Sequence, residues 1–402
     1  MIGAQDDGRH RVGTMMIHGL WAKLRGRRPW HAGGRFRLGW FSTWNAKCGI
    51  AEYSKFLLDA FDRRRFDWTV LGSQNDALLA PDTDRVLRCW SDRNGPVDPL
   101  LAALREERFD GLVIQFNFGF LSLADLAAVI SCCRSIGTKL LITFHSTADV
   151  TIDGDVVSLG DIARDLAKAD RILVHSADDV ARLKGFGVAD NVVQFPHGYI
   201  DGPAHDRAEA RAALGLPPDG LVIGSYGFCL PHKGIDQLIE AAPLLRAAGA
   251  PAKLLLVNAL YPASVSRELL DRCRDRVAAL GLGDDVVFEN RFLANEDSIR
   301  TLAACDIIVY AYQGTQESSS AAVRMGIAAR RPILCSPLPI FSDVASVVRF
   351  LPGTGPEDIR DGVLAFLADA TNREALAARQ DVWLKDHSWS RVSVQLQRML
   401  TA

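Results

Sequence analysis

The chain has 402 residues, of which 48% are hydrophobic and 23% charged, and its formal net charge at pH 7 is −2. This is the composition of an ordinary globular protein long enough for two domains, and it gives no reason to expect a nucleic-acid partner. No run of 18 apolar residues occurs, so we expect no transmembrane helix. The eight cysteines include no CxxC pair, which favours a reducing compartment over a disulfide framework or a zinc site. We therefore expect a cytoplasmic protein.

The first 35 residues form a basic leader with seven Lys and Arg against two Asp. Apolar residues at 15–17 and 20–21 precede a basic cluster at 25–28, whereas a signal peptide has its charge before its apolar core. A basic amphipathic segment can lie on an anionic membrane surface, so one interpretation is peripheral contact with the inner face of the plasma membrane through residues 15–28. The alternative is a flexible leader without a specific role.

From residue 37 onward, short apolar runs alternate with amphipathic helical patterns, which predicts α/β structure with parallel sheets covered by helices. A polar stretch at 198–220 separates two such series and predicts an interdomain connection. The predicted strands are 38–41, 68–71, 86–90, 111–116, 139–145, 171–175 and 192–196 in the first series, and 221–226, 253–258, 286–289, 307–312 and 331–336 in the second.

The two series predict two Rossmann-like, doubly wound domains, with residues 36–200 in the first and 201–375 in the second. Parallel strands end at one edge of their sheet, and ligands of such folds bind beyond that edge. Two domains joined by a linker therefore place a cleft between the carboxyl ends of two sheets.

Two candidate residues follow strands of the first domain. Gly49 lies in TWNAKCGIAEYS, where a strand gives way to a helix, so backbone N–H groups and the helix dipole could meet an anion or a sugar hydroxyl. A plain tight turn is the alternative for a single glycine. His145 ends the strand in LLITFHSTAD and could contact a substrate hydroxyl or phosphate, although a lone histidine there is more often structural.

Two turns of the second domain carry further candidates. Gly227 and Lys233 lie in the loop after the strand at 221–226, and a lysine just before a helix is well placed to pair with a phosphate. The stretch AYQGTQESSSAAVRMGIAARRPIL then sets Glu317 and three serines at a strand-to-helix turn. Serines suit a helix N-cap with free N–H groups, and the carboxylate is either a partner of the helix dipole or an acceptor for sugar hydroxyls.

One Asp-x-Asp pair, Asp153 and Asp155, has the spacing used by metal-dependent sugar transferases of another fold. It lies in TIDGDVVSLGD, whose composition is typical of a polar turn. We therefore predict no metal site and no other cofactor.

Together these residues give the chain a resemblance to family 4 of the retaining glycosyltransferases, which have the GT-B architecture of two facing Rossmann-like domains. The resemblance covers residues 36–402. It rests on the phrases CGIAEYSKFLLDAF, ADRILVHSADDVARL, VVQFPHGYI, GSYGFCLPHKGIDQLIEAAPLL, LGLGDDVVFENRFLANEDSIRTLAACDIIVYAY and ESSSAAVRMGIAARRPIL.

The resemblance implies an acceptor in the first domain, a nucleotide-diphosphate sugar in the second, and C-terminal helices at 376–402 that cross back to the first domain. It also implies transfer of a hexose with retention and without a metal, to a glycan or a lipid-linked acceptor. A hexosyltransferase of bacterial surface polysaccharide or glycolipid synthesis that uses GDP-mannose is the most specific form of this expectation.

The resemblance also assigns catalytic roles to three residues. Lys233 binds the donor pyrophosphate, Glu317 matches the first Glu of the family's Glu-x7-Glu motif, and His145 points at the donor sugar. The other residues implied to bind the donor are Gly49 and Gly227, Asn258, Arg291 and Phe292 near the base, Ser318, Ser319 and Ser320 near the diphosphate, and Arg324.

Three positions depart from the family pattern. Met325 stands where the family has its second Glu, which grips the ribose, and Phe228 stands where an Arg near the phosphates is common. Asn258 replaces a glycine that commonly ends its strand. The lost ribose contact and the lost phosphate charge could each weaken donor binding by about 1–3 kcal/mol, unless Arg291 or Arg324 compensates.

These departures leave two other interpretations open. One is a GT-B-fold binding or scaffolding subunit that has lost turnover. The other is a sugar phosphorylase, or an epimerase that interconverts UDP-sugars without an acceptor.

Overall fold

Two parallel β-sheets, one in each half of the chain, organise the fold and confirm the predicted α/β class. The computed structural model describes residues 34–315 and 317–402. The predicted membrane-contact segment, residues 15–28, lies outside the described residues. Each sheet with its covering helices forms one Rossmann-like domain.

The sheet of the N-terminal domain has seven strands in the order β3-β2-β1-β4-β5-β8-β9, and all of its neighbouring strands are parallel. Two further strands form a separate antiparallel hairpin that the sequence analysis assigned to a polar turn. The strands are β1 (Phe36–Phe41), β2 (Phe66–Ser73), β3 (Val86–Trp90), β4 (Gly111–Phe116), β5 (Lys139–Phe144), the hairpin strands β6 (Val150–Ile152) and β7 (Asp155–Val157), β8 (Arg171–Val174) and β9 (Val192–Gln194).

The sheet of the C-terminal domain has six parallel strands in the order β12-β11-β10-β13-β14-β15. They are β10 (Leu221–Phe228), β11 (Ala252–Ala259), β12 (Val286–Glu289), β13 (Ile307–Tyr310), β14 (Ile333–Cys335) and β15 (Arg349–Phe350). In both sheets the first strand lies between the second and a later one, so the order reverses beside β1 and beside β10. Ligands of doubly wound folds bind at these switch points.

Helices connect the strands in both domains. In the N-terminal domain they are α1 (Gly49–Asp59), α2 (Asp98–Glu107), α3 (Leu123–Ile136), α4 (Ala163–Leu166) and α5 (Ala177–Gly185). They continue with α6 (Arg207–Ala213), α7 (Ile235–Ala247), α8 (Ser264–Ala279), α9 (Asn295–Leu302), α10 (Ala321–Ala328), α11 (Pro356–Ala368), α12 (Ala370–Asp386) and α13 (Trp389–Thr401).

Alternate residues of β1 pack into two different cores, which shows how the first sheet is covered. Leu38 and Trp40 pack in a cluster with residues of α1 and α13, and Phe41 packs in a cluster with residues of α2 and α3. A strand that is buried on both faces has a nearly continuous apolar sequence, and this is why the runs were recognisable without alternation.

The chain crosses between the domains twice, and the two crossings lie side by side. Tyr199 N donates to His387 O at 3.0 Å, and Trp389 N donates to Tyr199 O at 3.2 Å. Helix α12 still packs in the core of the C-terminal domain through Trp383, and only α13 packs on the N-terminal domain. The return therefore occurs later than residue 376, where the sequence analysis placed it.

Helix α13 should be required for the stability of the N-terminal domain. Leu396 is fully buried against that domain, so Leu396→Ala leaves a cavity and should cost about 2–5 kcal/mol of unfolding free energy in urea titrations. Val394 lies on the same helix with 44% of its surface exposed, so Val394→Ala should change the value by less than about 0.5 kcal/mol. Equal effects of the two substitutions would contradict the packing of α13.

Candidate active site

A cleft of about 520 Å³ lies between the two domains and is lined by residues of both. It lies where the strands of both sheets end, as the fold predicts. Ten of the twelve residues named from the sequence line it, and two do not. The ten are Gly49, His145, Gly227, Lys233, Arg291, Phe292, Glu317, Ser319, Ser320 and Arg324.

Lys233 is held at the cleft by the loop that follows β10. The loop ends at Gly234, whose φ is +66° and where a Cβ would lie 1.8 Å from the carbonyl oxygen of Ala311. Glycine alone fits such a close approach with a left-handed backbone. The Lys233 Nζ donates to the Tyr312 hydroxyl at 2.8 Å and lies 4.0 Å from that ring's centroid. The ammonium group is therefore held in one position.

The serine-rich turn begins helix α10 beside this lysine. Ser320 is the N-cap, and its Oγ accepts from Val323 N at 3.3 Å, as the sequence predicts for one of the serines. The same Oγ lies 3.1 Å from the Tyr312 hydroxyl that accepts from Lys233. The positive end of the helix and the ammonium group of Lys233 thus meet at one end of the cleft.

Glu317 projects from the same turn. Its side chain is 57% exposed, and its Oε2 lies 3.9 Å from Lys233 Nζ. Its backbone N–H donates to Thr315 Oγ1 at 3.1 Å. An exposed carboxylate near a fixed cation at the wall of a cleft can accept hydrogen bonds from the hydroxyls of a bound ligand.

The two arginines that could compensate for the lost ribose contact and the lost phosphate charge already have partners. Arg324 is 3% exposed, forms an ion pair with Asp343, and donates to Ser320 O at 2.6 Å. Arg291 forms an ion pair with Glu289, which raises the pKa of Arg291. Lys233 lies 3.9 Å from Glu317, which is a looser pair than those of the two arginines, so Lys233 and the start of α10 are the main positive groups available to an anion.

Three histidines from neighbouring strand ends surround Tyr53 in the wall of the cleft. The ring centroids of His145, His175 and His197 lie 5.0, 5.6 and 5.1 Å from that of Tyr53. His145 Nε2 donates to Gln115 Oε1 at 2.9 Å. Burial lowers the pKa of all three histidines, so the cluster is neutral at pH 7.

Of these three histidines, His145 alone is predicted from the sequence as a site residue. His145 and His175 directly follow β5 and β8, and His197 comes shortly after β9. These three strands are neighbours in the sheet, so their carboxyl ends carry adjacent side chains. The sequence thus has a histidine after each of three strands. Only the order of the strands in the sheet shows that the three histidines lie together.

Phe228 stacks on an aromatic neighbour at the cleft. Its ring lies 5.9 Å from that of Phe292 at an angle of 13°, and 5.2 Å from that of Tyr261 at 77°. Lys47 of the N-terminal domain lies 5.8 Å from the centroid of the Phe292 ring. Aromatic rings thus form the wall of the cleft at position 228, where the family that the sequence resembles often has an Arg.

Asn258 and Ser318 do not line the cleft, so their predicted positions are corrected. Val257 and Ala259 line it, and because side chains alternate along a strand, Asn258 between them points to the other face of β11 and is 1% exposed. The hydroxyl of Ser318 faces the N-terminal domain, where it donates to Asp179 Oδ1 at 2.8 Å.

Met325 lines the cleft and is 7% exposed, so this wall is apolar where the family has its second Glu. Another carboxylate enters the cleft from the opposite domain. Glu52 of α1 lines it, and its Oε2 lies 3.4 Å from Nδ2 of Asn295, at the start of α9. The sequence analysis did not name either residue.

The Asp153–Asp155 pair belongs to the β6–β7 hairpin. Asp153 and Gly154 have φ of +55° and +92° at its turn, which Asp and Gly tolerate. Across residues 34–315 and 317–402, no three His, Cys, Asp or Glu side chains are grouped so as to hold a metal ion. None of the helices described in these ranges is long and apolar enough to span a membrane.

Residues 206–395 match the model of the family "Glycosyl transferases group 1". The D-inositol 3-phosphate glycosyltransferase of Actinosynnema mirum is 28% identical over 257 residues, which are 58% of this chain and 57% of that protein. A GDP-mannose-dependent monoacylated alpha-(1-6)-phosphatidylinositol monomannoside mannosyltransferase of Corynebacterium glutamicum is 28% identical over 51% of each chain. The chain thus spans about half the length of these relatives.

Solved structures agree on the fold. The Anabaena Alr3699/HepE protein, solved in complex with UDP, superposes with a TM-score of 0.70 over 91% of this chain and 99% of its own, at 14% identity. The family match and the two-domain architecture agree with the resemblance found in the sequence. Residues 206–395 thus match the group 1 glycosyltransferases, and the two domains together have the GT-B fold.

Proposed function

We propose that the protein is a retaining glycosyltransferase that moves a hexose from a nucleotide-diphosphate sugar to a glycan or lipid-linked acceptor, without a metal ion. The observation that carries the proposal is the group formed by Lys233, Glu317 and the N-terminus of α10 in the interdomain cleft. GDP-mannose is the donor we propose first, because the Corynebacterium relative is named for it. A UDP-sugar is the alternative, since the Anabaena protein was solved with UDP.

The charges of the cleft suit the leaving group. Breaking a glycosyl–phosphate bond builds negative charge on the diphosphate and positive charge on the sugar. The Lys233 ammonium is fixed by Tyr312. It would stabilise the negative charge on the diphosphate together with the N–H groups at the start of α10. Glu317 would bind sugar hydroxyls beside the anomeric carbon.

The neutral histidine cluster supplies hydrogen bonds without adding positive charge beside the sugar. Since His145 Nε2 donates to Gln115, its Nδ1 is left to accept from a sugar hydroxyl. In the transfer, the bond between the anomeric carbon and the phosphate oxygen breaks while the acceptor oxygen bonds to that carbon on the same face. The acceptor's proton passes to the leaving phosphate oxygen, so the protein need not supply a strong nucleophile.

The activity can be tested with a panel of nucleotide sugars, scoring donor hydrolysis and transfer. Glu317→Gln and Lys233→Gln should each lower the rate about 10- to 100-fold, because each removes a charged hydrogen-bonding partner. Lys253→Gln is the matched control, since Lys253 pairs with Asp285 at the surface. Wild-type rates in both site variants would refute the site. If calorimetry shows no binding of any nucleoside diphosphate to the wild type, the result would favour a binding or scaffolding subunit that has lost turnover.

Stability should fall as the pH drops below about 6.5, because the unfolded histidines, with pKa near 6.5, bind protons that the buried ones do not. Each histidine contributes a slope of up to about 1.4 kcal/mol per pH unit between its lowered pKa and about 6.5, and none above it. Urea titrations between about pH 5.5 and 7.5 measure the slope, and His175→Asn should reduce the slope on the acidic side of about pH 6.5 by up to about 1.4 kcal/mol per pH unit. A slope that this substitution leaves unchanged would contradict a neutral His175.

A lipid-linked acceptor would bring the protein to the inner face of the membrane, and we propose residues 15–28 as the contact. Vesicles that contain an anionic phospholipid should bind the full chain more tightly than a shortened chain that starts at Arg35. Added salt should reduce the difference because the attraction is electrostatic. Equal binding by the two chains would show that residues 15–28 do not contribute to membrane contact.

A further inference from the structure

Asp179 is a buried carboxylate that serves more than its own helix. It lies in the first turn of α5, is 2% exposed, and accepts four hydrogen bonds. Its Oδ2 accepts from the backbone N–H of Ser176 at 3.1 Å, and its own N–H donates to Ser176 Oγ at 3.1 Å, which together form a capping box for α5. The same Oδ2 also accepts from the Ser176 hydroxyl at 2.6 Å. Its Oδ1 accepts from Thr147 Oγ1 at 2.5 Å and from Ser318 Oγ at 2.8 Å. The cap of α5 uses Oδ2 of Asp179, whereas Oδ1 binds residues outside that helix.

The bond to Ser318 crosses between the domains. Ser318 is 139 residues further along the chain and belongs to the turn before α10. Its backbone N–H donates to the carbonyl oxygen of His145 at 3.2 Å, so both its main chain and its side chain are held by the N-terminal domain. Hydrogen bonds to a buried carboxylate are among the stronger ones in proteins.

The residues on either side of Ser318 line the cleft. Glu317 precedes it, and Ser319 follows it and donates to Asp343 Oδ2 at 2.8 Å in the C-terminal domain. The turn is therefore anchored from one domain at Ser318 and from the other at Ser319. In the anchor from the N-terminal domain, the backbone of His145 is hydrogen-bonded to Ser318, the residue next to Glu317.

We propose that Asp179 is a positioning residue for sugar transfer, which seats Glu317 opposite His145 by holding Ser318 when the domains close. This inference rests on the proposed function. Asp179 itself would not touch the substrate, since the oxygens of its side chain face Ser176, Thr147 and Ser318, and Oδ1 lies 3.7 Å from Arg182 Nη1. Losing the contact should impair the sugar-transfer step and leave the diphosphate contacts of Lys233 in place.

The test compares kcat with nucleoside diphosphate affinity. Ser318→Ala should lower kcat about 10- to 100-fold while the Kd for GDP or UDP from calorimetry changes less than about threefold. Ser318→Thr keeps the hydroxyl and should recover most of kcat. Asp179→Asn should resemble Ser318→Ala. Ser176→Ala, which weakens the cap of α5 without removing the Ser318 contact, should lower the Tm and leave kcat near the wild-type value.

Small-angle scattering gives a readout that does not depend on catalysis. With GDP or UDP bound, Ser318→Ala should have a larger radius of gyration than the wild type. A wild-type kcat together with an unchanged radius in Ser318→Ala would overturn the inference, as would a loss of kcat in Ser176→Ala equal to that in Ser318→Ala. If the wild type transfers no sugar but Ser318→Ala still opens the domains, the proposed function fails while the closing contact stands.

Discussion

The parallel pairing of every strand in the two main sheets is the constraint on which the site depends. Because all strands of a parallel sheet end at the same edge, the turns that follow them are neighbours even when they are far apart in sequence. His145 and His175 follow strands of one sheet, and Lys233 and Glu317 follow strands of the other. Facing the two edges across a cleft brings the four together without a long loop.

The sequence predicted most of this framework. All twelve predicted strands are present. Those buried on both faces, such as β4 and β13, have apolar runs that stand out against polar turns. The β6–β7 hairpin was missed, since its short, half-exposed strands read as polar turn residues. The face of β11 on which the Asn258 side chain lies could not be predicted for a related reason. In the run LLLVNA, apolar residues on both faces hide the alternation that would have shown which side faces the cleft.

Contacts between the domains could not be predicted from the sequence. The three serines after Glu317 look alike in the chain, yet Ser320 caps α10, Ser319 donates to Asp343 and Ser318 donates to Asp179. The contacts of Ser319 and Ser320 lie within the C-terminal domain, and the relative placement of the domains determines the partner of Ser318. The three serines of the turn thus have three different partners, which accounts for its polarity.

The two adjacent crossings of the chain limit how the domains can move. Backbone hydrogen bonds join the crossings at Tyr199 and Trp389, so the domains share a narrow double connection instead of a single flexible linker. Hinge motion of two domains is absorbed by the few residues that connect them. Domain motion should therefore concentrate at this paired connection, and a single opening angle would govern access to the interdomain cleft.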